Sequence, residues 1–399
     1  MPKMTIEDIT VKNKRVLMRV DFNVPVKAGK VTNDKRIREA LPTIRHILKN
    51  EGKLILMSHL GRPKGEKKSE FSLQPCVETL SKHLGQPVAF APDCIGDAAS
   101  AAVDALKPGQ ALILENLRFY KAEEKNDPDF SKQLAQWGDL YVNDAFGTAH
   151  RAHASTEGVT HFLQPCVAGL LMLKELDYLG RAMESPRHPF VAILGGAKIS
   201  GKIDVIQSLL PKVDRLLIGG GMVFTFLRAK GLNVGRSLLE EDRIELARNL
   251  LAQADDKIVL PVDCRVSDQF DIAAGTVGPL QTVAVNAIPD NAAGLDVGPV
   301  TMERFGQALK DARTVVWNGP MGVFEIKETA KGTFEMASIL AQMTDQGAVT
   351  IIGGGDSAAA AEKAGVAERI SHISTGGGAS LEFLEGKILP GVAALTDKK

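Results

Sequence analysis

The chain has 399 residues, of which 44% are apolar and 24% are charged, and it is too long for one ordinary hydrophobic core. Its 48 lysines and arginines are balanced by 48 aspartates and glutamates. This zero net charge argues against nucleic acid or an anionic membrane as the partner, because both attract proteins with a positive excess. The sequence contains no apolar leader and no apolar run of transmembrane length.

The four cysteines, Cys76, Cys94, Cys166 and Cys264, are widely separated and form no CxxC pair. No histidine lies near them at the spacing of a zinc site. We therefore expect reduced, mostly buried thiols and a cytoplasmic protein that is not exported.

Short apolar, β-branched segments alternate along the chain with longer segments of helical periodicity. The strands predicted in the first half are Val16–Val20, Leu54–Ser58, Val88–Phe90, Ala111–Leu114 and Leu140–Val142. Those predicted in the second half are Phe190–Leu194, Arg215–Ile218, Lys257–Leu260, Thr314–Trp317 and Ala348–Ile352. The helical segments include Arg38–Asn50, Leu73–His83 and Glu240–Ala254. This alternation predicts an α/β fold with two Rossmann-like, doubly wound parallel-sheet domains.

A hinge helix is predicted to join the two domains. Five leucines between positions 170 and 179 keep one helical face apolar, and the proline-containing segment 185–189 is expected to end the helix. We therefore assign 1–170 to the first domain, 171–188 to the interdomain helix and 189–386 to the second domain.

Glycine clusters follow four strand ends in the second half of the chain. They are Gly195–Gly196, Gly219–Gly221, Gly353–Gly355 and Gly376–Gly378. Ligands of open parallel sheets bind beyond the carboxyl ends of the strands, where glycine lets backbone N–H groups approach a phosphate. One such cluster could serve only a tight turn, but four on one domain indicate a phosphate-binding surface.

Two standard nucleotide motifs are approached in this half but not met. Residues 196–202 resemble a Walker A loop, but Ile203 stands where Ser or Thr should bind magnesium. Residues 353–358 fit GxGxxA, yet the next strand ends in Ser374-Thr375-Gly376 rather than in an acid for a ribose hydroxyl.

Charged residues beside the glycine turns are candidate ligand contacts. Lys198 and Lys202 are four apart at a predicted helix start, so they are expected to share one helical face and to bind phosphates. Asp356, at a helix N-terminus, is a candidate ligand for hydrated Mg²⁺, and Glu325 for a ribose hydroxyl. The alternatives are that the two lysines lie on a solvated helix face, that Asp356 is only an N-cap, and that Glu325 is a surface carboxylate.

Polar and cationic residues follow the strands of the first half instead. They include Asp21, Asn23, Arg36, His59, Arg62, Arg118, His150, Arg151 and His153. Guanidinium groups converging at one sheet edge suit a phosphorylated carboxylic acid, because they bind phosphate and carboxylate bidentately. The histidines are expected to contact substrate or to shape the loops, since phosphoryl transfer to an ionised acid needs no base.

Together these segments resemble the phosphoglycerate kinase family over nearly the whole chain. The matching motifs, in order, are VDFNVP, SHLGRP, ENLRF, NDAFGTAHRAHAS, GGAK, GGGM, VWNGPMGVFE, GGGDS and STGGGASLEFLEGK. The resemblance implies a cytosolic, usually monomeric glycolytic enzyme that transfers a phosphoryl group reversibly from 1,3-bisphosphoglycerate to MgADP, giving 3-phosphoglycerate and MgATP. It also implies that residues 387–399 return to the first domain.

Site residues follow from the same motifs. The resemblance implies that phosphoglycerate is bound by Asp21, Asn23, Arg36, His59, Arg62, Arg118 and Arg151. It implies that the nucleotide is bound by Gly196, Lys198, Lys202, Gly220, Asn318, Pro320, Glu325, Gly353, Gly354, Gly355, Asp356 and Ser357, with Mg²⁺ on Asp356. Ser357 stands where family members often have Thr, and it keeps the hydroxyl group.

The expected reaction centre combines Arg36, Lys198 and the backbone of Gly354 and Gly355. Two alternatives remain at this point, a nucleotide-dependent oxidoreductase and a non-catalytic two-lobed binding protein. The first lacks its acidic ribose anchor here, and the second would need neither paired lysines nor an aspartate suited to Mg²⁺.

Overall fold

Residues 2–398, which the computed structural model describes, divide into two units that are each built on a parallel sheet. The first unit runs to Asp177 and resumes at Ile388, and the second unit is Tyr178–Lys387.

The first unit has a six-stranded sheet with helices packed against it. The strands of this unit are β1 (Arg15–Arg19), β2 (Val26–Lys27), β3 (Lys30–Val31), β4 (Lys53–Met57), β5 (Val88–Ala91), β6 (Ala111–Leu114), β7 (Leu140–Asn143) and β8 (Cys166–Ala168). Of these, β2 and β3 form a separate antiparallel hairpin. Its helices are α1 (Lys35–Lys49), α2 (Gln74–Leu84), α3 (Gly96–Asp104), α4 (Lys121–Glu124), α5 (Pro128–Ala135) and the first part of α6 (Leu170–Glu184). The sheet order is β5-β6-β4-β1-β7-β8, with every neighbour parallel.

The second unit has its own six-stranded parallel sheet. The strands of this unit, including those of two smaller sheets, are β9 (Phe190–Leu194), β10 (Arg215–Ile218), β11 (Ile258–Val259), β12 (Asp263–Ser267), β13 (Phe270–Asp271), β14 (Thr276–Val277), β15 (Gln281–Ala284), β16 (Ala293–Val297), β17 (Thr314–Asn318), β18 (Val349–Gly353) and β19 (His372–Ile373). Its helices are α7 (Ile203–Leu209), α8 (Val223–Ala229), α9 (Ile244–Gln253), α10 (Pro299–Leu309), α11 (Lys331–Asp345), α12 (Gly355–Lys363) and α13 (Gly378–Leu384).

The order β11-β10-β9-β17-β18-β19 is the 3-2-1-4-5-6 arrangement of dinucleotide-binding folds. It places the topological switch point between β9 and β17. The central strands β9 and β17 are buried along their whole length, which accounts for their continuous apolar sequences. The predicted α/β class with two parallel-sheet domains is therefore confirmed.

A small antiparallel sheet, in the order β15-β12-β16, and the hairpin β13–β14 extend the second unit. No strands were predicted between residues 263 and 297. These strands are short, and several of them are polar and partly exposed, so they lack the apolar runs that mark the central strands.

Helix α6 passes from the first unit to the second without interruption. It ends at Glu184, just before the proline-containing segment that was expected to stop it. Across residues 2–398, no helix combines the length and the apolar character needed to cross a membrane.

The last described residues pack against the first unit and include α14 (Pro390–Ala393). The N–H of Gly391 donates to the carbonyl of Ala149 at 2.8 Å, and the N–H of Thr396 donates to the carbonyl of Cys166 at 2.9 Å. Leu389 and Leu395 are buried in this region. The segment is thus joined to the first unit by backbone hydrogen bonds and carries two buried leucines.

Candidate active site

Four neighbouring strands of the first sheet end in the polar loops identified from the sequence. The strands are β6, β4, β1 and β7, in that order across the sheet. All run in the same direction, so their carboxyl ends lie along one edge. Three arginines and one histidine are buried or half-buried at this edge. These four residues, Arg19, Arg36, His59 and Arg118, are called the cation cluster below.

Arg36 lies in the first turn of α1 and is bound to Asp21 in the loop after β1. Its Nη1 donates to Asp21 Oδ2 at 2.7 Å, while Asp21 Oδ1 accepts from the N–H of Asn23 at 3.1 Å. Burial opposes ionisation of Asp21, but the charges of Arg36 and Arg19 outweigh it and hold the pKa of Asp21 below its ordinary value. The carboxylate thus holds a guanidinium that is 38% exposed.

Asn23 and Arg118 meet at the backbone of Gly61. The N–H of Gly61 donates to Asn23 Oδ1 at 2.9 Å, and Arg118 Nη1 donates to the carbonyl of Gly61 at 3.0 Å. Arg118 is only 4% exposed, and burial lowers the pKa of its guanidinium against the opposing charge of Glu124. Its Nε is buried without a hydrogen-bond partner among residues 2–398, and lies 3.5 Å from Glu124 Oε1 in an ion pair. A buried guanidinium at the end of a strand suits an anionic ligand.

His59 is buried beside these groups, and its Nδ1 lies 3.1 Å from Nη2 of Arg19. Burial lowers the pKa of His59 well below its ordinary value, and the charges of Arg19 and Arg118 lower it further against Asp21. The imidazole is therefore uncharged at neutral pH. The positive charge of the cluster comes from the arginines alone.

Arg62 and Arg151 lie on two of the same loops but are exposed. Arg151 Nε contacts Nε2 of His150 at 3.1 Å. Arg151 is also close enough to Arg118 for its charge to lower the pKa of the Arg118 guanidinium. The structure thus brings Asp21, Asn23, Arg36, His59 and Arg118 together. Arg62 and Arg151 lie at the rim of this site with exposed side chains.

Arg19, Ser155 and Glu123 belong to this site but were not predicted. Arg19 is fully buried at the end of β1, and its Nε donates to Ser155 Oγ at 2.8 Å. Ser155 in turn donates to the buried carboxyl group of Glu123 at 2.5 Å. The one available signal was an arginine ending an otherwise apolar strand, since a charge in that position needs a buried partner.

The glycine turns of the second unit lie along the carboxyl edge of its sheet. At the switch point, a Cβ on Gly195 would stand 2.1 Å from the carbonyl oxygen of Pro320. A Cβ on Gly319 would stand 2.3 Å from the carbonyl oxygen of Gly195. Glycine is therefore required at both positions, because the backbones of the loops after β9 and β17 are in direct contact. The role of these two glycines is packing.

Gly355 differs from these packing glycines. It is the first residue of α12, and a Cβ built on it would meet nothing within 4 Å. Neither backbone conformation nor the protein's own packing demands glycine at this position. The N–H groups of this helix start are open to a ligand, as anion sites at helix N-termini require.

Asp356 and Ser357 follow in the first turn of α12 and have different surroundings. Asp356 is exposed, so its carboxylate is available to an external cation. Ser357 is fully buried, and its Oγ accepts the N–H of Gly319 at 2.7 Å. Ser357 thus ties α12 to the turn after β17.

Lys198 and Lys202 do not share a helical face, and this prediction was wrong. Helix α7 begins only at Ile203, so both lysines lie in the loop before it. Lys198 is exposed, whereas Lys202 is mostly buried and donates through Nζ to Asn318 Oδ1. Burial lowers the pKa of Lys202 to about 8, against the opposing charges of Glu385 and Asp356.

A largely apolar cavity of about 340 Å³ opens beside the glycine turns. Its lining includes Gly196, Gly220, Phe224, Leu238 and Leu295. Pro320, Glu325 and Asp356 also reach the cavity. The antiparallel strands missed in the sequence supply part of the wall, so they belong to the site. An apolar slot with backbone N–H groups and carboxylates at its margin suits a flat ring that carries polar substituents.

Residues 2–398 contain no group of three or more His, Cys, Asp or Glu side chains arranged to hold a metal ion. All four cysteines are buried and unpaired.

The comparisons agree with one another. The family model for phosphoglycerate kinase matches residues 6–387. A phosphoglycerate kinase from Chlorobium limicola is 59% identical, with both chains covered in full. The chloroplastic phosphoglycerate kinase of Volvox carteri is 58% identical over 97% of this chain and 84% of its own length.

Solved structures show the same relationship. The phosphoglycerate kinase of Coxiella burnetii superimposes with a TM-score of 0.88 at 41% identity, covering 98% of each chain. That of Pyrococcus horikoshii superimposes with a TM-score of 0.84 at 34% identity and the same coverage. Sequence, fold and full-length similarity therefore lead to one conclusion: the chain belongs to the phosphoglycerate kinase family.

Proposed function

We propose that the protein transfers a phosphoryl group reversibly from 1,3-bisphosphoglycerate to MgADP, forming 3-phosphoglycerate and MgATP in glycolysis. The acceptor in the reverse direction is a carboxyl group. The observation that carries this proposal is the cation cluster, in which the charges of Arg19, Arg36 and Arg118 all act on His59 at the edge of one sheet.

The first unit is proposed to bind the phosphoglycerate. Arg118 is buried beside the site, and Arg62 and Arg151 are exposed at the rim, so guanidinium groups can bind both a phosphate and a carboxylate. Asp21 and Asn23 are proposed to contact the hydroxyl group of the ligand.

The second unit is proposed to bind the nucleotide. The base would enter the apolar cavity, and Glu325 at its margin would accept a hydrogen bond from the ribose. The phosphates would then reach the N–H groups at the start of α12 and the ammonium groups of Lys198 and Lys202. Asn318 already holds Lys202 in the free protein.

Mg²⁺ fits the donor set at the start of α12. Asp356 supplies one exposed carboxylate, and the ion commonly takes a single protein carboxylate together with phosphate oxygens and waters. When bound, Mg²⁺ would neutralise charge on the nucleotide phosphates. Asp356 is therefore the residue proposed to hold it.

Catalysis is proposed to rest on positioning and on stabilisation of charge. The transferred group develops negative charge on its equatorial oxygens, which Arg36, Lys198 and the N–H groups of Gly354 and Gly355 would meet. Asp21 keeps Arg36 in place before the ligand arrives. Since the two ligands bind to different units, we also propose that the units close during turnover to exclude water.

A coupled assay tests this function directly. ATP consumption is expected only when both Mg²⁺ and 3-phosphoglycerate are present. Consumption that does not depend on 3-phosphoglycerate would reject the proposal. An absorbance change of a nicotinamide cofactor with a hydroxy acid would indicate the oxidoreductase, and ligand binding without turnover would indicate the non-catalytic binding protein.

We further propose that the protein acts as a cytoplasmic monomer. Buried, unpaired cysteines suit a reducing compartment. Sedimentation of the purified protein tests the oligomeric state, and fractionation of the source cells tests the compartment.

A further inference from the structure

Arg19 and His59 are in direct contact in the buried part of the cation cluster. Nη2 of Arg19 lies 3.1 Å from Nδ1 of His59. A guanidinium has only donors, so Nδ1 must accept in this contact and carries no proton. A neutral imidazole in that state has its proton on Nε2.

We propose that His59 serves the phosphoglycerate site as a neutral hydrogen-bond donor through Nε2–H, and that Arg19 is a positioning residue that selects this tautomer. The identity of the ligand rests on the proposed function. The tautomer is a property of the free protein and does not depend on it.

The surroundings of the ring support a neutral donor. His59 is 4% exposed, and the charged groups that face it are Asp21, Arg19, Arg118 and Arg36. Burial lowers the pKa of His59 well below its ordinary value, and the three arginines together oppose a further positive charge. Among residues 2–398, Arg19 is the ring's one hydrogen-bond partner, which leaves Nε2 for a ligand.

The guanidinium of Arg19 is itself fixed in orientation. It is fully buried, and it donates to Ser155 Oγ at 2.8 Å and to the carbonyl of Val20 as well as to His59. Ser155 uses both its Oγ and its N–H to bind the buried carboxyl group of Glu123, at 2.5 and 3.0 Å. This chain of contacts fixes the guanidinium on three sides, so Nη2 is held toward the imidazole. A lysine could not reproduce three donors in one plane.

A neutral donor also has a chemical consequence for the ligand. Arg36 and Arg118 already supply the positive charge that attracts an anion. An imidazolium beside them would add repulsion between the cations of the protein. The Nε2–H group instead recognises one acceptor oxygen in a defined direction. His59 would therefore contribute to the placement of the ligand rather than to its electrostatic attraction.

The first test is the nitrogen NMR spectrum of the histidine rings in the free protein. We expect the signals of His59 to show a protonated Nε2 and an unprotonated Nδ1 from about pH 6 to pH 8, across the range where ordinary histidines titrate. A protonated Nδ1, or an imidazolium at pH 7, would overturn the proposal. Because this spectrum needs no ligand, it remains decisive even if the proposed function fails.

Variants then connect the tautomer to binding. Arg19→Met removes the donor, so we expect the Nδ1–H tautomer to appear and KM for 3-phosphoglycerate to rise about tenfold, the effect of one hydrogen bond. The matched control is Arg15→Met on the same strand, whose side chain is exposed and paired with Asp139; spectrum and KM should not change. An unchanged tautomer in folded Arg19→Met protein would refute the positioning role.

A second pair of variants covers the case in which Arg19→Met does not fold. In His59→Gln the amide nitrogen can take the place of Nε2, whereas in His59→Asn the amide reaches only as far as Nδ1. We expect KM for 3-phosphoglycerate to be about tenfold lower in the Gln variant than in the Asn variant. Equal KM values would contradict donation through Nε2. Failure of the wild-type protein to use 3-phosphoglycerate would instead reject the proposed function.

Discussion

Among single residues, Arg36 carries the largest expected contribution to the rate. It is held by Asp21 in the free protein, which leaves part of its guanidinium exposed for a ligand. Loss of a cation that stabilises a phosphoryl-transfer transition state lowers kcat by about a thousandfold or more, and we expect this of Arg36→Ala. The control is Arg38→Ala on the same helix, which removes only an exposed pair with Asp34. A nearly normal kcat in Arg36→Ala would remove Arg36 from the reaction centre.

Lys202 gives a second prediction at the same scale, because its charge depends on pH near neutrality. Burial lowers the pKa of this amine to about 8, so in the free protein its positive charge is lost as the pH rises through that value. Since a neutral amine attracts phosphate less strongly, kcat/KM for ADP should fall as the pH is raised above about 8. Lys202→Arg keeps the charge and should remove this alkaline decline. A profile that is identical in both proteins would show that Lys202 does not meet the phosphates.

Helix α12 permits a sharper test, because two adjacent glycines at its start have different reasons to be glycine. Gly354 has a φ of +87°, so Gly354→Ala should strain the backbone and destabilise the fold by about 1–3 kcal/mol. Gly355 has no such strain and open space around it, so Gly355→Ala should leave the unfolding temperature unchanged or slightly higher. KM for ADP should nevertheless rise in Gly355→Ala, because the added methyl group would obstruct the phosphates. If KM stays at the wild-type value, α12 does not bind the phosphates.

The elements also show what sequence patterns could and could not predict. The long central strands, such as Phe190–Leu194, have apolar sequences because both faces are buried, and pattern alone was sufficient to locate them. The strand Cys166–Ala168 was missed because three residues carry too little pattern. The contact between Arg19 and Ser155 joins residues 136 positions apart, so no local pattern could indicate it. The prediction for Lys198 and Lys202 failed because helix α7 begins one residue after Lys202, and only the loop's own packing decides that.

At the scale of the whole molecule, the C-terminal segment makes the first unit depend on both ends of the chain. Leu389 and Leu395 are buried there, and the N–H of Met4 donates to the carbonyl of Thr396 at 2.8 Å. Deletion of residues 388–399 should therefore destabilise the first unit by about 3–6 kcal/mol, from the loss of two buried leucines. Calorimetry should show an earlier transition for this unit and little change in the transition of the second. The control Lys398→Ala removes only an exposed pair with Asp8 and should leave both transitions in place.

The proposed closure of the two units is constrained by the way the chain passes between them. The first crossing runs through α6, a continuous helix, and bending it would break backbone hydrogen bonds. We therefore expect rotation at the residues that flank α6 and at the second crossing, between Lys387 and Ile388, where the Ile388 side chain is 84% exposed.

Small-angle X-ray scattering with 3-phosphoglycerate and MgADP, a pair that cannot react, measures this closure. The radius of gyration should fall when both ligands are present and should change less with either one alone, because water is excluded only when both sites are filled.

A variant at the second crossing tests the same movement. Pro substitutions near the crossings would also affect folding. Ile388→Gly is the better variant, because it loosens the second crossing without removing a buried group. It should alter kcat while leaving the KM of each substrate close to the wild-type value. A scattering profile with both ligands that superimposes on that of the free protein would contradict closure, and transfer would then require the two ligands to meet without movement of the units.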